Sequence, residues 1–131
     1  IILYMDIINM SKIEDLKCSF RDSKSLDDRI AESEKIIEKY PDRIPIIVEK
    51  CTESTLKDID KQKYLVPKDL TFSQFLYIIR KRINLNEAEA LFLFVNNKLV
   101  PSNMSINEIY NSDKCEDGFL YVNYTNENTF G

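Results

Sequence analysis

The sequence predicts an α+β fold in which one mixed sheet packs against a single central helix. Three segments support this fold class. Residues 71–83 have the capped, periodic pattern of an amphipathic helix. An apolar strand pattern at residues 43–50 precedes this helix, and an alternating pattern at residues 119–124 follows it. Strands on both sides of one helix are typical of an α+β domain with one hydrophobic core.

The first predicted helix begins at Ser25, which suits the N-cap, and Asp28 lies three residues later in the capping-box position. Pro41 ends this helix. From the helical spacing we expect a buried face made of Leu26, Ile30, Ser33, Ile37 and Tyr40. Glu32 and Ile36 lie one turn apart on a neighbouring strip of the same helix.

The first predicted strand, residues 43–50, alternates between two faces. One face holds Ile44, Ile46 and Val48, and the other holds Pro45, Ile47 and Glu49. A proline usually belongs on an edge strand, because it has no N–H to donate to the ladder. A polar loop is predicted to follow over residues 51–60.

The second predicted strand, "QKYLVP", is short, contains lysine and ends at Pro67, which are features of an edge strand. Tyr64 and Val66 face one side, whereas Lys63 and Leu65 face the other. An exposed edge accepts a peptide as an added strand, with pockets for alternate side chains. This strand is therefore a candidate peptide-binding edge, and we expect a surface role for Tyr64.

The central helix begins at the N-cap Thr71, and Gln74 is its capping-box partner. Its apolar side chains recur at helical spacing and are Phe72, Phe75, Leu76, Ile79 and Ile83. The basic run at residues 80–82 lies in the last turns, where positive charge interacts favourably with the helix dipole.

The remaining elements are short. "ALFLFV" predicts a buried strand, Asn96 and Asn97 suit a hairpin turn, and "LVP" predicts a return strand. Ser105 and Glu108 form another capping box, which predicts a short helix. This order of elements is the β-grasp pattern, in which the first and last strands lie side by side and parallel. Pro45 must then lie where the ladder needs no N–H.

Composition excludes several classes of function. A chain of 131 residues indicates one domain, and its net charge of −4 disfavours nucleic acid as a partner. Histidine is absent from the sequence, which excludes Ser–His and Cys–His nucleophiles and the usual zinc sites. Three widely spaced cysteines predict reduced thiols in a cytosolic protein. We expect no cofactor. The apolar start "IILYMDIINM" is too short for a membrane span and lacks the features of a signal peptide.

Several stretches resemble one known family, the autophagy ubiquitin-like modifiers, which includes the GABA-receptor-associated protein and the microtubule-associated light chains. The stretches are "KYPDRIPIIVEK", "KYLVPKDLT", "QFLYIIRKRINL", "FLFVNN" and "EDGFLYVNYTNENTFG". The resemblance runs from Leu16 to Gly131. The central stretch is more similar to the first branch, whereas "EDGFLY" and the "TFG" ending are more similar to the second.

The resemblance implies a ubiquitin-like β-grasp core preceded by two N-terminal helices, the first of them around residues 11–18. It divides the single domain into an N-terminal helical region at residues 10–40 and a core with its tail at residues 41–131. Residues 1–9 are interpreted as an extension or an expression remnant. The second N-terminal helix is the one that begins at Ser25.

The resemblance also implies a role for Gly131 as the residue that is conjugated to lipid. An activating enzyme and a conjugating enzyme would carry its carboxyl group to the amine of phosphatidylethanolamine, and a cysteine protease would process or release the chain. We expect a processed form, or a product that needs no processing. The expected localisation is the cytoplasm and, after lipidation, the autophagosome membrane or another organelle membrane, as in some protists.

The family binds peptides of the type aromatic-x-x-aliphatic, often preceded by acidic residues. The positions matching its aromatic pocket are Glu32, Ile36, Pro45, Ile47, Lys63, Leu65 and Phe119. The positions matching its aliphatic pocket are Tyr64, Val66, Pro67, Leu70, Phe75 and Ile78. The positions expected to meet the acidic flank, in addition to Lys63, are Arg43, Lys61 and Arg82.

Two alternatives stay open at this point, an unconjugated β-grasp adaptor and a modifier of protein lysines. An enzyme is poorly supported, because the sequence has no histidine base and Glu116 and Asp117 are interpreted as simple loop charges. The helix that begins at Ser25 is more acidic than in several relatives, which argues against tubulin binding.

Overall fold

The computed structural model describes residues 19–127, and within this range it contains four helices and five strands. In chain order the elements are α1 Phe20–Ser23, α2 Leu26–Lys39, β1 Arg43–Lys50, β2 Lys63–Pro67, α3 Phe72–Arg82, β3 Phe92–Val95, β4 Lys98–Leu99, α4 Ile106–Asp113 and β5 Leu120–Thr125. The predicted helix at residues 11–18 lies outside the described residues, and α1 begins just after it.

The five strands form one mixed sheet in the order β2-β1-β5-β3-β4. The first and last strands, β1 and β5, are parallel neighbours, and the other pairs are antiparallel. The ladder between them begins at Ile46 opposite Leu120, one residue after Pro45, so the proline precedes this ladder. The α+β β-grasp fold predicted from the order of elements is confirmed.

The main core lies between the sheet and α3. Thr71 caps this helix, and both bonds of its capping box with Gln74 are present, as predicted. Phe75 and Ile79 are completely buried against the inward row of β1, which is Ile44, Ile46 and Val48. The inward side chains of the alternating strands and the apolar side chains at helical spacing on α3 therefore pack together in one core.

Two short elements also follow the sequence prediction. Asn96 and Asn97 both have positive φ, at 53° and 62°, which is the conformation that a tight hairpin turn requires between β3 and β4. Ser105 and Glu108 form the second complete capping box, at the start of α4. Cys51 and Cys115 are free thiols.

The loop between β1 and β2 is not simply polar, so this part of the prediction is wrong. Leu56 and Ile59 are buried in the main core. The loop is tied to the sheet by the Lys50 ammonium and the Tyr124 hydroxyl, which donate to the backbone carbonyls of Leu56 and Lys57 at 3.1 and 2.7 Å. Isolated apolar residues in a polar stretch carry no periodic signal, although tertiary contacts bury them.

The opposite face of the sheet packs on α2, and here the predicted buried face is confirmed for Ser33 but wrong for Leu26 and Ile37. Leu26 and Ile37 are exposed, whereas Ser33 and Ile36 are buried. The reason is a close approach at Gly118, which has φ of +93°: a Cβ there would lie 2.3 Å from the Ser33 hydroxyl oxygen. A small side chain on α2 and a glycine on the facing loop set this packing, and Leu26 and Ile37 lie on the exposed side of the helix.

Candidate functional site

The site is built around β2, which lies at the border of the sheet and is hydrogen-bonded to β1 on one side. The edge position predicted for this strand is confirmed. The predicted alternation is also present, since Tyr64 and Val66 belong to the main core and Leu65 belongs to a second cluster. The outer edge of β2 therefore offers backbone donors and acceptors between two differently composed surfaces.

The residues predicted for the aromatic pocket come together on the α2 side of the sheet. Ile36, Ile47, Leu65 and Phe119 form one apolar cluster with Phe20 and Tyr121. Pro45 faces Leu65 across the β1–β2 ladder and is buried. The side chains drawn from α2, β1, β2 and the start of β5 thus meet in one place, as the resemblance implies.

Glu32 and Lys63 form an ion pair beside this cluster. The Lys63 ammonium donates to Glu32 Oε2 at 2.6 Å, and the Lys24 ammonium donates to Oε1 at 2.8 Å. Burial alone would raise the pKa of Glu32, but the two ammonium groups outweigh it and lower the pKa below its usual value. The Lys63 side chain is only 6% exposed, so its charge is held under the surface by Glu32.

Phe20, on α1, belongs to this cluster and was missed by the sequence analysis. Its ring meets Phe119 edge-on at a centroid distance of 5.2 Å, and the Lys63 Nζ atom lies 5.1 Å from its centroid. A signal existed in the sequence: Phe20 is a single aromatic residue in a polar stretch, directly after Ser19. Ser19 is the N-cap of α1, accepting a hydrogen bond from the Asp22 N–H.

The residues predicted for the aliphatic pocket separate into two groups. Tyr64, Val66 and Phe75 are fully buried in the main core, and Tyr64 meets Phe75 edge-on at 6.2 Å. The surface role expected for Tyr64 is wrong, because strand alternation turns it towards α3 with Val66. Pro67, Leu70 and Ile78 are partly exposed.

A cavity of about 310 Å³ marks the accessible side of this region. It is lined by Leu70, Ser73, Gln74, Tyr77 and Ile78. Leu70 and Ile78 were predicted, whereas Ser73, Gln74 and Tyr77 were missed, because an outward helix face carries no apolar period. The Tyr77 side chain is 59% exposed at this cavity.

The predicted basic residues lie at both ends of β2. Arg43 faces Pro67 in the ladder, and its guanidinium lies 3.5 Å from the Leu65 carbonyl oxygen. Lys61 precedes the other end of the strand, where Arg82 pairs with Asp60 at 3.3 Å.

Asp117 holds α2 and β5 together behind the apolar cluster, so its interpretation as a simple loop charge is wrong. Its carboxylate is fully buried and accepts from the Arg29 guanidinium at 2.6 Å, the Tyr121 hydroxyl at 2.5 Å and the Phe119 N–H at 2.9 Å. Burial raises its pKa, but these donors together hold the pKa below the usual value. Burial and the same carboxylate raise the pKa of Tyr121 far above normal.

Gly131 lies outside the described residues, and β5 ends at Thr125. Within residues 19–127, the Cys, Asp and Glu side chains form no cluster suited to a metal ion. In the same range, each helix is too short or too polar to cross a bilayer. The candidate site is an apolar and ionic surface beside a strand edge.

Comparisons with known proteins agree with this geometry. A family model described as "Autophagy protein Atg8 ubiquitin like" matches residues 28–131. Autophagy-related protein 8a of Arabidopsis thaliana is 56% identical over 115 residues, which are 88% of this chain and 94% of that protein. Autophagy-related protein 8B of Oryza sativa subsp. indica is 54% identical over 115 residues, 88% of this chain and 97% of that protein. The crystal structure of Trypanosoma brucei ATG8 superposes with a TM-score of 0.79 at 42% identity, covering 90% of this chain and 100% of that one.

Proposed function

Because the chain belongs to the Atg8 family, we propose that Gly131 is its conjugated residue and that the β2 edge receives partner peptides. The chain is an autophagy ubiquitin-like modifier, a type of protein that is conjugated to lipid and is not itself an enzyme. The observation that carries the proposal is the family match over residues 28–131, which includes both β2 and Gly131. The similarity of the central stretch to the GABA-receptor-associated branch, and of the chain ending to the light-chain branch, stays a prediction.

The conjugation chemistry uses the carboxyl group of Gly131. ATP activates it as an acyl adenylate with release of pyrophosphate, and the thiolate of the activating enzyme displaces AMP to give a thioester. After transfer to a cysteine of the conjugating enzyme, the amine of phosphatidylethanolamine attacks the thioester, the C–S bond breaks, and an amide forms with release of the enzyme thiol. Glycine suits this reaction because it has no Cβ to obstruct a narrow channel. A cysteine protease exposes or releases this carboxyl group.

A reconstitution with the activating and conjugating enzymes, ATP and liposomes containing phosphatidylethanolamine tests this proposal. Gly131→Ala is expected to block or severely slow lipid transfer, while the melting temperature and peptide binding stay unchanged. Thr129→Ala is the matched control and should transfer normally. Intact mass distinguishes a lipid adduct from an adduct on protein lysines. If the wild-type chain forms no ATP-dependent thioester, the conjugation proposal fails and an unconjugated adaptor replaces it.

The peptide proposal joins the β2 edge with the pockets on its two sides. An extended peptide would add to β2 through its backbone, with its aromatic residue at the cluster of Leu65 and Phe119 and its aliphatic residue near Leu70 and Ile78. The cavity beside Leu70 and Ile78 supports the second of these positions. Basic residues at the ends of β2 favour an acidic flank on the peptide.

Calorimetric titration with an aromatic-x-x-leucine peptide tests this placement. We expect micromolar affinity, roughly −8 kcal/mol, and a loss of about 1–3 kcal/mol for Leu65→Ala, as for a buried anchor contact. Leu99→Ala, on β4 at the other border of the sheet, is the matched control and should bind like the wild type. Chemical-shift changes confined to regions remote from residues 63–66 would contradict the placement.

The partners that this function requires are the activating and conjugating enzymes, the processing protease and receptors that carry the peptide motif. We propose a cytoplasmic pool and a pool on autophagosomes, attached through the lipid. The two acyl chains of phosphatidylethanolamine anchor a protein stably, whereas one chain binds only marginally.

A further inference from the structure

We propose that Phe20 is an internal occupant of the aromatic pocket, and that a partner peptide must displace α1 before its own aromatic residue can enter. This inference rests on the proposed peptide-binding function and adds a regulatory step to it. It assigns the segment from Ser19 to Lys24 the role of a strap across the pocket.

The Phe20 ring fills the place where the predicted pocket residues converge. The ring lies in one cluster with Ile36, Ile47, Leu65 and Phe119 and is only 4% exposed. The four lining residues are themselves buried, at 7%, 0%, 1% and 1%. A second aromatic ring has no room there, because a close-packed cluster leaves no space of that size.

The contacts of Phe20 are those that an incoming aromatic residue would make. It meets Phe119 edge-on at 5.2 Å and Tyr121 at 6.5 Å. The ammonium groups of Lys63 and Lys24 lie 5.1 and 5.6 Å from its centroid. Phe20 and a peptide aromatic residue would therefore compete for the same apolar and cationic partners.

The strap is held by a few polar contacts that the predicted pocket does not need. The Phe20 N–H donates to Glu49 Oε2 at 2.7 Å, and the Lys24 ammonium reaches Glu32 at 2.8 Å. The Arg21 guanidinium lies 4.1 Å from the Tyr121 ring centroid. Since α1 has only four residues, its helical hydrogen bonds add little stability of their own.

The lining residues, in contrast, stand on elements that the sheet holds in place. Ile47 and Leu65 lie on paired strands. Phe119 is held by a hydrogen bond that its backbone N–H donates to the buried Asp117 carboxylate. Segments that move when a ligand binds are drawn from the least stable parts of a fold. In this cluster that part is α1, which carries Phe20.

Peptide titration by calorimetry tests the strap. A ligand that binds only the open form has an apparent affinity reduced by the fraction of molecules that are open, so opening the strap should tighten binding, and we set about fivefold as the smallest supporting gain. Phe20→Ala removes the occupant, and Glu49→Ala removes the acceptor that holds it while keeping the ring. Both variants should bind an aromatic-x-x-leucine peptide more tightly than the wild type. Asp22→Ala, at an exposed site on α1, is the matched control and should not change the affinity.

Different results would overturn the strap proposal and the proposal that β2 binds peptides. A wild type that binds the peptide while folded Phe20→Ala and Glu49→Ala bind it equally or more weakly overturns the strap, since Phe20 is then a wall of the pocket. A peptide that binds none of the proteins overturns the peptide function itself. Thermal melts identify any variant that fails to fold. A second readout is the NOE between the Phe20 and Phe119 rings, which should vanish at peptide saturation; its persistence contradicts displacement.

Discussion

The sheet face that packs on α3 and the face that packs on α2 are built from different kinds of side chains. The α3 face is an apolar cluster that includes the completely buried Phe75 and Ile79. Of the five buried polar or charged residues in the described range, three lie on the α2 side: Ser33, Lys63 and Asp117. The α3 face is stabilised mainly by apolar burial, whereas the α2 face combines an apolar cluster with buried ion pairs, so we expect its stability to depend on pH and salt.

The largest expected effect is on the α3 face. Ile79→Asp places a carboxylate in an apolar core with no partner, and we expect the free energy of unfolding to fall by at least ~3 kcal/mol. Urea denaturation measures this loss. Ile37→Asp on the exposed side of α2 is the control and should change stability little. A variant of Ile79 as stable as the wild type would show that the comparison between the two faces is wrong.

A smaller loss is expected on the α2 face from Asp117→Ala. The change leaves the Tyr121 hydroxyl and the Phe119 N–H without their acceptor, which costs about 2 kcal/mol for buried donors. The readout is again urea denaturation, with Glu116→Ala at the neighbouring exposed position as the control. Equal stability of the two variants would mean that Asp117 does not join α2 to β5.

The free energy of unfolding should depend on pH through Asp117 on the α2 face, but not through Ile79 on the α3 face. The pKa of Asp117 is lowered in the folded state, so its stabilising contribution is present above the ordinary aspartate pKa of 3.8 and is lost as pH falls through the folded value. The gap in stability between the wild type and Asp117→Asn should therefore narrow as pH falls below 3.8. Ile79→Val should keep a constant gap from the wild type, because no titration is involved. A gap for Asp117→Asn that stays constant down to pH 2 would contradict this assignment.

Local patterns in the sequence were sufficient for the α3 face and insufficient for the α2 face. The capping box at Thr71, the period of α3 and the alternation of the strands involve residues close in sequence, so each is visible in a short window. The bond between Arg29 and Asp117 joins residues 88 positions apart. The approach of Ser33 to Gly118 likewise depends on tertiary contact, and it decides which side of α2 is buried.

The candidate site shows the same division. The resemblance named Glu32, Lys63, Leu65 and Phe119, since these positions match a family pattern, whereas the ion pair of Glu32 with Lys63 was found only in the structure. It gave no reason to consider Phe20, whose role depends on how α1 folds back onto the cluster. Tyr64 was expected at the surface because it adjoins a lysine, although alternation already placed it with Val66.

The smallest expected effect concerns the outer ion pair of the α2 face. Lys24 and Lys63 both bind Glu32, but the Lys24 side chain is 40% exposed whereas that of Lys63 is 6% exposed. Water and salt screen an exposed pair, so Lys24→Met should lower the free energy of unfolding by less than ~0.5 kcal/mol, and by less still at high salt. Urea denaturation at two salt concentrations measures this, with Lys35→Met on the exposed side of α2 as the control. A loss above about 1 kcal/mol that salt does not reduce would place Lys24 among the buried charges of this face. The buried ion pairs of the α2 face would then include the pair of Lys24 with Glu32 as well as the pair of Lys63 with Glu32.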